Sequence, residues 1–332
     1  MEIPRRTFLG AMGAAAMAAA VPRGLDAAAG SASGDLSKVK FWVAACTPCD
    51  RNLAFDGAVY RDMMAWFKEQ GADGVLVLGT TGEFPSFSVA ERRTIAEVAL
   101  KHANGLDMIV QTGTPDFPET LELSRHAADH GANGLLIVPP FYYKAPPTEG
   151  IARYYSMIFD AVKIPINLYH IPGTSGVPIS IQLLRSLAHY PNLAGIKDSN
   201  GIPEEYETFA DEFPHLNIRT GTVNNLENAL DRDMGAMLME GNLFPGQIAR
   251  VFAAKRAGRD DRDALAAFRQ AVEILRPGGI YGYGPMKYAL SLQMGTPQTY
   301  QRPPFLDVTD AQKAAIKAGL ARLKEMSATT HA

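Results

Sequence analysis

The stretch NLAGIKDS, Asn192 to Ser199, places Leu193, Ala194, Gly195 and Ile196 directly ahead of one lysine, Lys197. An apolar run of this length ending in a single charge fits a short buried strand, and burial at its end disfavours the ammonium form relative to the free amine. A free amine attacks ketone carbonyls. The protonated imine that results withdraws electrons from the neighbouring carbon and permits carbon–carbon bonds to break or form. The same residues also fit a lysine that snorkels from a strand end or pairs with Asp198.

Seven further runs of the same kind surround it: Phe41 to Cys46, Gly74 to Leu78, Met108 to Thr112, Gly134 to Val138, Pro165 to Tyr169, Ile218 to Thr220 and Ala236 to Met239. They recur at roughly thirty-residue intervals from Val39 onward and alternate with amphipathic stretches such as Val89 to His102 and Thr120 to His130, the pattern of repeated βα units. Gly131 follows the second stretch as a C-cap would. Eight units with no intervening linker predict an α/β fold, a closed (β/α)8 TIM barrel. A doubly wound sheet would carry a Gly-rich phosphate turn after its first strand, and CTPCD is not one. The barrel spans residues 37–258 in this reading. Patterns at Asp261 to Leu275, from Pro285 to Leu292, and from Thr309, a plausible N-cap, to Lys324 predict a C-terminal helical region over residues 259–328.

The first thirty residues read differently. Arg5 and Arg6 precede TFLGA and an alanine-rich apolar run to Val21, with Arg23 beyond it and Ala27 to Ala29 as a small-residue cleavage site. This resembles a twin-arginine export signal over residues 1–30, with Pro4 where such signals usually carry Ser or Thr. The expectation is an exported, periplasmic protein with no membrane span in its mature form.

At 332 residues and 47% hydrophobic content the chain can bury a large core, and a formal net charge of −3 without any basic block argues against nucleic acid or an anionic membrane as partner. A small molecule is the expected ligand. The two cysteines, Cys46 and Cys49, form CTPC. Extended backbone around Pro48 would hold their sulfurs apart, so two ordinary thiols are expected, and no second Cys/His cluster completes a metal site.

Catalytic groups of a barrel sit where strands end. Here those ends carry Thr47, GTTGE (Gly79 to Glu83), Thr112, PPFYYK (Pro139 to Lys144), Tyr169, Lys197, Gly221 and EGN (Glu240 to Asn242). With GTTGE, PPFYYK, YHIPGTSG and GIKDS in this order, the chain resembles the dihydrodipicolinate synthase and N-acetylneuraminate lyase family from about Phe41 to the RPP run at Arg302 to Pro304. The resemblance implies a class I, Schiff-base-forming lyase or aldolase that works on pyruvate or another 2-oxo acid, needs no metal or nucleotide, and assembles as a dimer or tetramer. Lys197 is then the imine-forming nucleophile and Tyr169 the proton shuttle. Thr80 hydrogen-bonds toward Tyr169, Thr81 and Gly82 hold the substrate carboxylate, and Tyr143, beside Tyr142, reaches into a neighbouring subunit. Glu83 organises its loop.

Several positions depart from the family pattern. The lysine-biosynthetic synthases carry a carboxylate-binding arginine where Thr174 stands, and the sialic acid lyases carry acidic residues where Val223 and Asn224 stand. Met239 replaces a serine, His170 a commoner asparagine, and Glu240 a small residue. The acceptor end, with Thr174, Ser175, Gly221, Asn224 and Glu240 as candidate contacts, therefore suits a hydroxylated aldehyde, as in 2-oxo-3-deoxy sugar acid aldolases, or a hydroxy-oxo acid. Dihydrodipicolinate synthase activity, dehydration of a sugar acid through the same imine, and a non-catalytic 2-oxo acid binding barrel are the alternatives.

Overall fold

The computed structural model describes residues 38–329; the export signal expected over residues 1–30 lies outside them. Eight parallel strands close into one barrel in sequence order. They are β1 Phe41–Ala44, β2 Gly74–Val77, β3 Asp107–Gln111, β4 Gly134–Ile137, β5 Ile166–His170, β6 Leu193–Asp198, β7 Asn217–Thr220 and β8 Ala236–Leu238. Each expected apolar run overlaps one of them, with β3, β5, β6 and β7 reaching one residue outside it. β1 pairs with β8 through Trp42 and Met237, which closes the ring.

A helix follows each strand: α1 Gly57–Glu69, α2 Val89–Lys101, α3 Phe117–Asp129, α4 Thr148–Ala161, α5 Ile181–Leu187, α6 Pro203–Glu212, α7 Leu226–Asp231 and α8 Pro245–Arg256. Their starts are encoded locally. Asp56 accepts from the amides of Ala58 and Val59 to open α1, and Ser88 and Glu91 form a capping box at α2. Asp116 accepts from Glu119 to open α3, and Gly131 beyond its end takes φ +87°, a conformation that a side chain would strain. The C-terminal region comprises α9 Arg262–Leu275, α10 Tyr283–Met294 and α11 Asp310–Thr329. Thr309 caps α11 reciprocally with Gln312. Among the described residues no helix is long and apolar enough to cross a membrane.

Two features of the barrel position the site. Between Ile166 and Asn167 the β5–β6 register shifts by one, so that Tyr169 lies opposite Lys197. Without that extra residue Ile196 would face Tyr169, because one step along a strand exchanges the two faces. Lower in the barrel, Arg219 is buried, with Nη1 donating to Asn167 Oδ1 at 2.5 Å and the guanidinium 4.7 Å from the Trp42 ring centroid. Gly195 makes that room. A Cβ there would come within 2.1 Å of the Asn217 carbonyl and 3.1 Å of Arg219 Nη1. Burial lowers the Arg219 pKa to about 10.

Candidate active site

Lys197 leaves the end of β6 with 4% of its surface exposed, and Tyr169 leaves β5 with 2%. Lys197 Nζ donates to the Tyr169 hydroxyl at 3.3 Å and lies 4.6 Å from its ring centroid. The Tyr169 hydroxyl is 3.2 Å from Thr80 Oγ1. A continuous chain of polar atoms thus runs from the amine through a phenol to a hydroxyl, each a single proton transfer from the next.

Gly221 guards the lysine stem: a Cβ there would fall 2.9 Å from Lys197 Cε and 2.0 Å from Ser199 Oγ. Only hydrogen fits. Glu240, in the one-turn segment after β8, is 7% exposed. Desolvation by its burial raises its pKa to about 7, although Lys197 and the Tyr281 hydroxyl pull it down. Its Oε2 has no hydrogen-bond partner among the described residues.

Within GTTGE the turn closes by Gly82 N–H to the Gly79 carbonyl at 3.0 Å and Glu83 N–H to the Thr80 carbonyl at 2.9 Å. The Gly82 amide, expected to meet a substrate carboxylate, is therefore spent on the turn itself, and its carbonyl accepts from Thr47 Oγ1 at 2.8 Å. Thr80 and Thr81 remain half-buried at the rim.

Ser175 is likewise engaged by its own turn. It is buried in the helical turn Pro172–Ser175, where its hydroxyl bonds the Ile171 and Val177 carbonyls and the Val177 amide, so the turn and not a ligand occupies it. Thr174 and Asn224 are exposed beside the mouth. Tyr142 and Tyr143 stand apart from the lysine on the surface, 78% and 61% exposed, with rings packed edge to face at 5.5 Å.

The family model described as "Dihydrodipicolinate synthetase family" matches residues 38–323. This chain belongs to that family. An uncharacterized DapA-like lyase of Chloroflexus aurantiacus is 35% identical over 272 residues, 80% of this chain and 90% of the relative. A 4-hydroxy-tetrahydrodipicolinate synthase of Bartonella bacilliformis is 31% identical, covering 82% of this chain and 94% of its own. Among solved structures, YagE, a prophage protein of E. coli K12 crystallised with pyruvate, superposes with a TM-score of 0.78 at 25% identity over 86% of this chain and 98% of its own. N-acetylneuraminate lyase from Fusobacterium nucleatum shares the fold, with a TM-score of 0.78 at 23% identity and coverage of 86% and 98%. As a member of the dihydrodipicolinate synthetase family the chain is a lyase of the class I aldolase type.

Other residues at the site of this family member carry no sequence motif. The Tyr283 hydroxyl, from α10, donates to the Thr80 carbonyl at 3.0 Å. Glu83, whose φ of +55° is left-handed, forms a fully buried ion pair with Lys287 of α10 and accepts from the Arg302 amide at 3.1 Å. Lys287 also donates to the Tyr300 carbonyl at 2.7 Å. Glu83 holds its loop through backbone hydrogen bonds with Thr80 and Arg302 and, in addition, through a cation contributed by the C-terminal region.

His170 is accounted for as well. Its Nδ1 accepts from the Ile179 amide at 3.0 Å, which leaves the proton on Nε2, 3.3 Å from Glu205 Oε1. It props the loop outside β5. Burial lowers its pKa against the pull of Glu205. Cys46 and Cys49 are both free and buried, and burial pushes the Cys46 thiol up to about 12.

Proposed function

We propose that this lyase forms an imine between Lys197 Nζ and the carbonyl carbon of a 2-oxo acid, with pyruvate as the common component, and uses it to cleave or make a carbon–carbon bond. The observation that carries this reading is the chain from Lys197 Nζ to the Tyr169 hydroxyl to Thr80 Oγ1, at 3.3 and 3.2 Å. The amine adds to the carbonyl, and the Tyr169 hydroxyl supplies the proton with which the former carbonyl oxygen leaves as water. The iminium then accepts the electron pair of the bond broken at the adjacent carbon. Thr80 hands protons to and from Tyr169, and Thr81 holds the carboxylate. No metal or nucleotide enters the scheme. The pyruvate bound in the YagE crystals supports the choice of 2-oxo acid.

For the second component the reading is a neutral, hydroxylated aldehyde. Thr174 offers no charge to a carboxylate, and Glu240, with one oxygen unpartnered, suits a hydroxyl. A second reading, dehydration of a sugar acid through the same imine, is favoured by Glu240 alone: a carboxyl group raised to about 7 can protonate a departing hydroxyl.

The active form is a homotetramer or dimer in which the exposed Tyr143 completes a neighbour's site, and the chain is exported to the periplasm by the segment around Arg5 and Arg6. Sedimentation of the parent and of Tyr143→Ala tests the first statement. Fusion of residues 1–36 to a reporter active only outside the cytoplasm tests the second.

The chemistry is tested by borohydride trapping with a panel of 2-oxo acids, followed by intact-protein mass measurement of the parent and Lys197→Ala. A pyruvate-sized adduct in the parent alone is the expected result. Labelling of neither with any oxo acid would leave a binding barrel in place of an enzyme, and equal labelling of both would put the imine on an amine other than Lys197.

A further inference from the structure

We propose that Glu97, His126 and His130, on the outer wall of the barrel, form a binding site for one divalent transition-metal ion of the zinc class, which braces α2 to α3. His126 lies in the last turn of α3 and His130, four residues on, caps its end, and Glu97 meets both from α2. Glu97 Oε1 lies 2.7 Å from His126 Nε2 and 3.9 Å from His130 Nε2. One donor atom from each of the three lies within 4.8 Å of the others. A tetrahedral ion with bonds near 2.0–2.1 Å needs donors about 3.3 Å apart. The two measured spacings lie about 0.6 Å below and above that value and all three donors lie within 4.8 Å, so side-chain movements on the order of an ångström complete the site.

The imidazoles are already turned for the task. Their rings stack with centroids 4.1 Å apart and planes 29° apart, and both Nε2 atoms lie toward Glu97 Oε1. His130 Nδ1 is 2.8 Å from the His126 carbonyl and must donate to it, so the lone pair is on Nε2, facing the carboxylate. His126 Nδ1 is buried without a partner among the described residues. An ion at Nε2 transfers the ring proton to that atom, which is unpartnered in either tautomer. Glu97 and His130 are 46% and 45% exposed, leaving an entry path and room for water as a fourth ligand.

Two imidazoles and one carboxylate select zinc, copper, nickel or cobalt over magnesium or calcium. The cluster sits toward the C-terminal ends of α2 and α3, whereas strand C-termini bear the amine, so the ion stiffens the wall and takes no part in the reaction.

The test uses tag-free mature chain stripped of metal and titrated with Zn²⁺ alone, read by calorimetry and by metal analysis after dialysis, with Co²⁺ absorption as a report on coordination. One ion per chain, a rise in Tm, and the visible band of four-coordinate Co²⁺ are expected. His130→Ala, at a half-exposed position, should weaken binding at least 100-fold, and Glu97→Gln about 10-fold, with both variants folded by circular dichroism. Absence of binding in the parent, or His130→Ala binding as tightly as the parent, overturns the site.

Discussion

Glu83, in the loop after β2, and Lys287, in α10, form an ion pair in which neither side chain has any exposed surface. The pair anchors the loop carrying Thr80 and Thr81 to the C-terminal region. Two charges taken out of water compensate each other only while both are present. Lys287→Met should therefore cost about 3–5 kcal/mol, while Glu83→Gln combined with Lys287→Met should recover part of that loss. Urea unfolding of the single and double variants checks it, and equal losses in the two would deny the coupling.

Tyr169→Phe keeps the ring beneath Lys197 and removes the hydroxyl that links it to Thr80. Turnover should fall roughly 10²–10⁴-fold with little change in Tm. Borohydride trapping should still label Lys197, but more slowly.

At Gly221 a methyl group would meet Ser199 Oγ at 2.0 Å and Lys197 Cε at 2.9 Å. Gly221→Ala should displace the amine by about an ångström and lower kcat roughly 100-fold. The rate of imine trapping at saturating pyruvate reads this directly, and an unchanged rate would show that the loop after β7 yields instead.

Glu240 gives a pH-dependent signal. Burial raises its pKa from 4.5 to about 7, so the folded chain holds this proton more tightly than the unfolded one. Its contribution to stability is fully present below 4.5 and is lost as pH rises through about 7, a swing of roughly 2–3 kcal/mol. Glu240→Gln stays neutral and should gain on the parent across that window when unfolding is followed by denaturant at several pH values. Lys197→Ala removes a nearby positive charge and should move the Glu240 midpoint upward.

Arg302 makes the opposite case. Its guanidinium bonds Glu91 and the Ser86 and Leu53 carbonyls and lies 4.2 Å from the Phe87 ring centroid, and it holds the Glu91 carboxyl down to about 2. That stabilisation is present above 4.5, the ordinary value, and is lost as pH falls toward 2. Arg302→Ala should cost roughly 1–2 kcal/mol at neutral pH, because Glu91 is 38% exposed and partly screened. The difference from the parent should narrow in acid.

The barrel was legible because each strand is a short apolar run between amphipathic stretches, a periodic signal that survives without tertiary context. Lys197 and Tyr169 were legible because they end such runs. The register shift that sets them opposite each other was not, since nothing in NLAGIKDS marks which residue bulges. At Ser175 and Gly82 the sequence did not show that the turns satisfy their own donors and acceptors, because such bonds depend on the local backbone path. Tyr283, Lys287 and Arg302 escaped because their partners are distant in sequence and a lone tyrosine, lysine or arginine announces no partner. The His126–His130 pair was passed over, because its third donor, Glu97, comes from another helix.

The hold of α10 on the loop after β2 also orders the protein's synthesis. A growing chain that has delivered all eight strands already contains Lys197, Tyr169 and Thr80, yet the carbonyl of Thr80 still awaits Tyr283, and Glu83 awaits both Lys287 and the Arg302 amide. The loop after β2 is therefore fully framed only once residue 302 of 332 has been made, and a chain cut short after the barrel carries Lys197, Tyr169 and Thr80 without that frame.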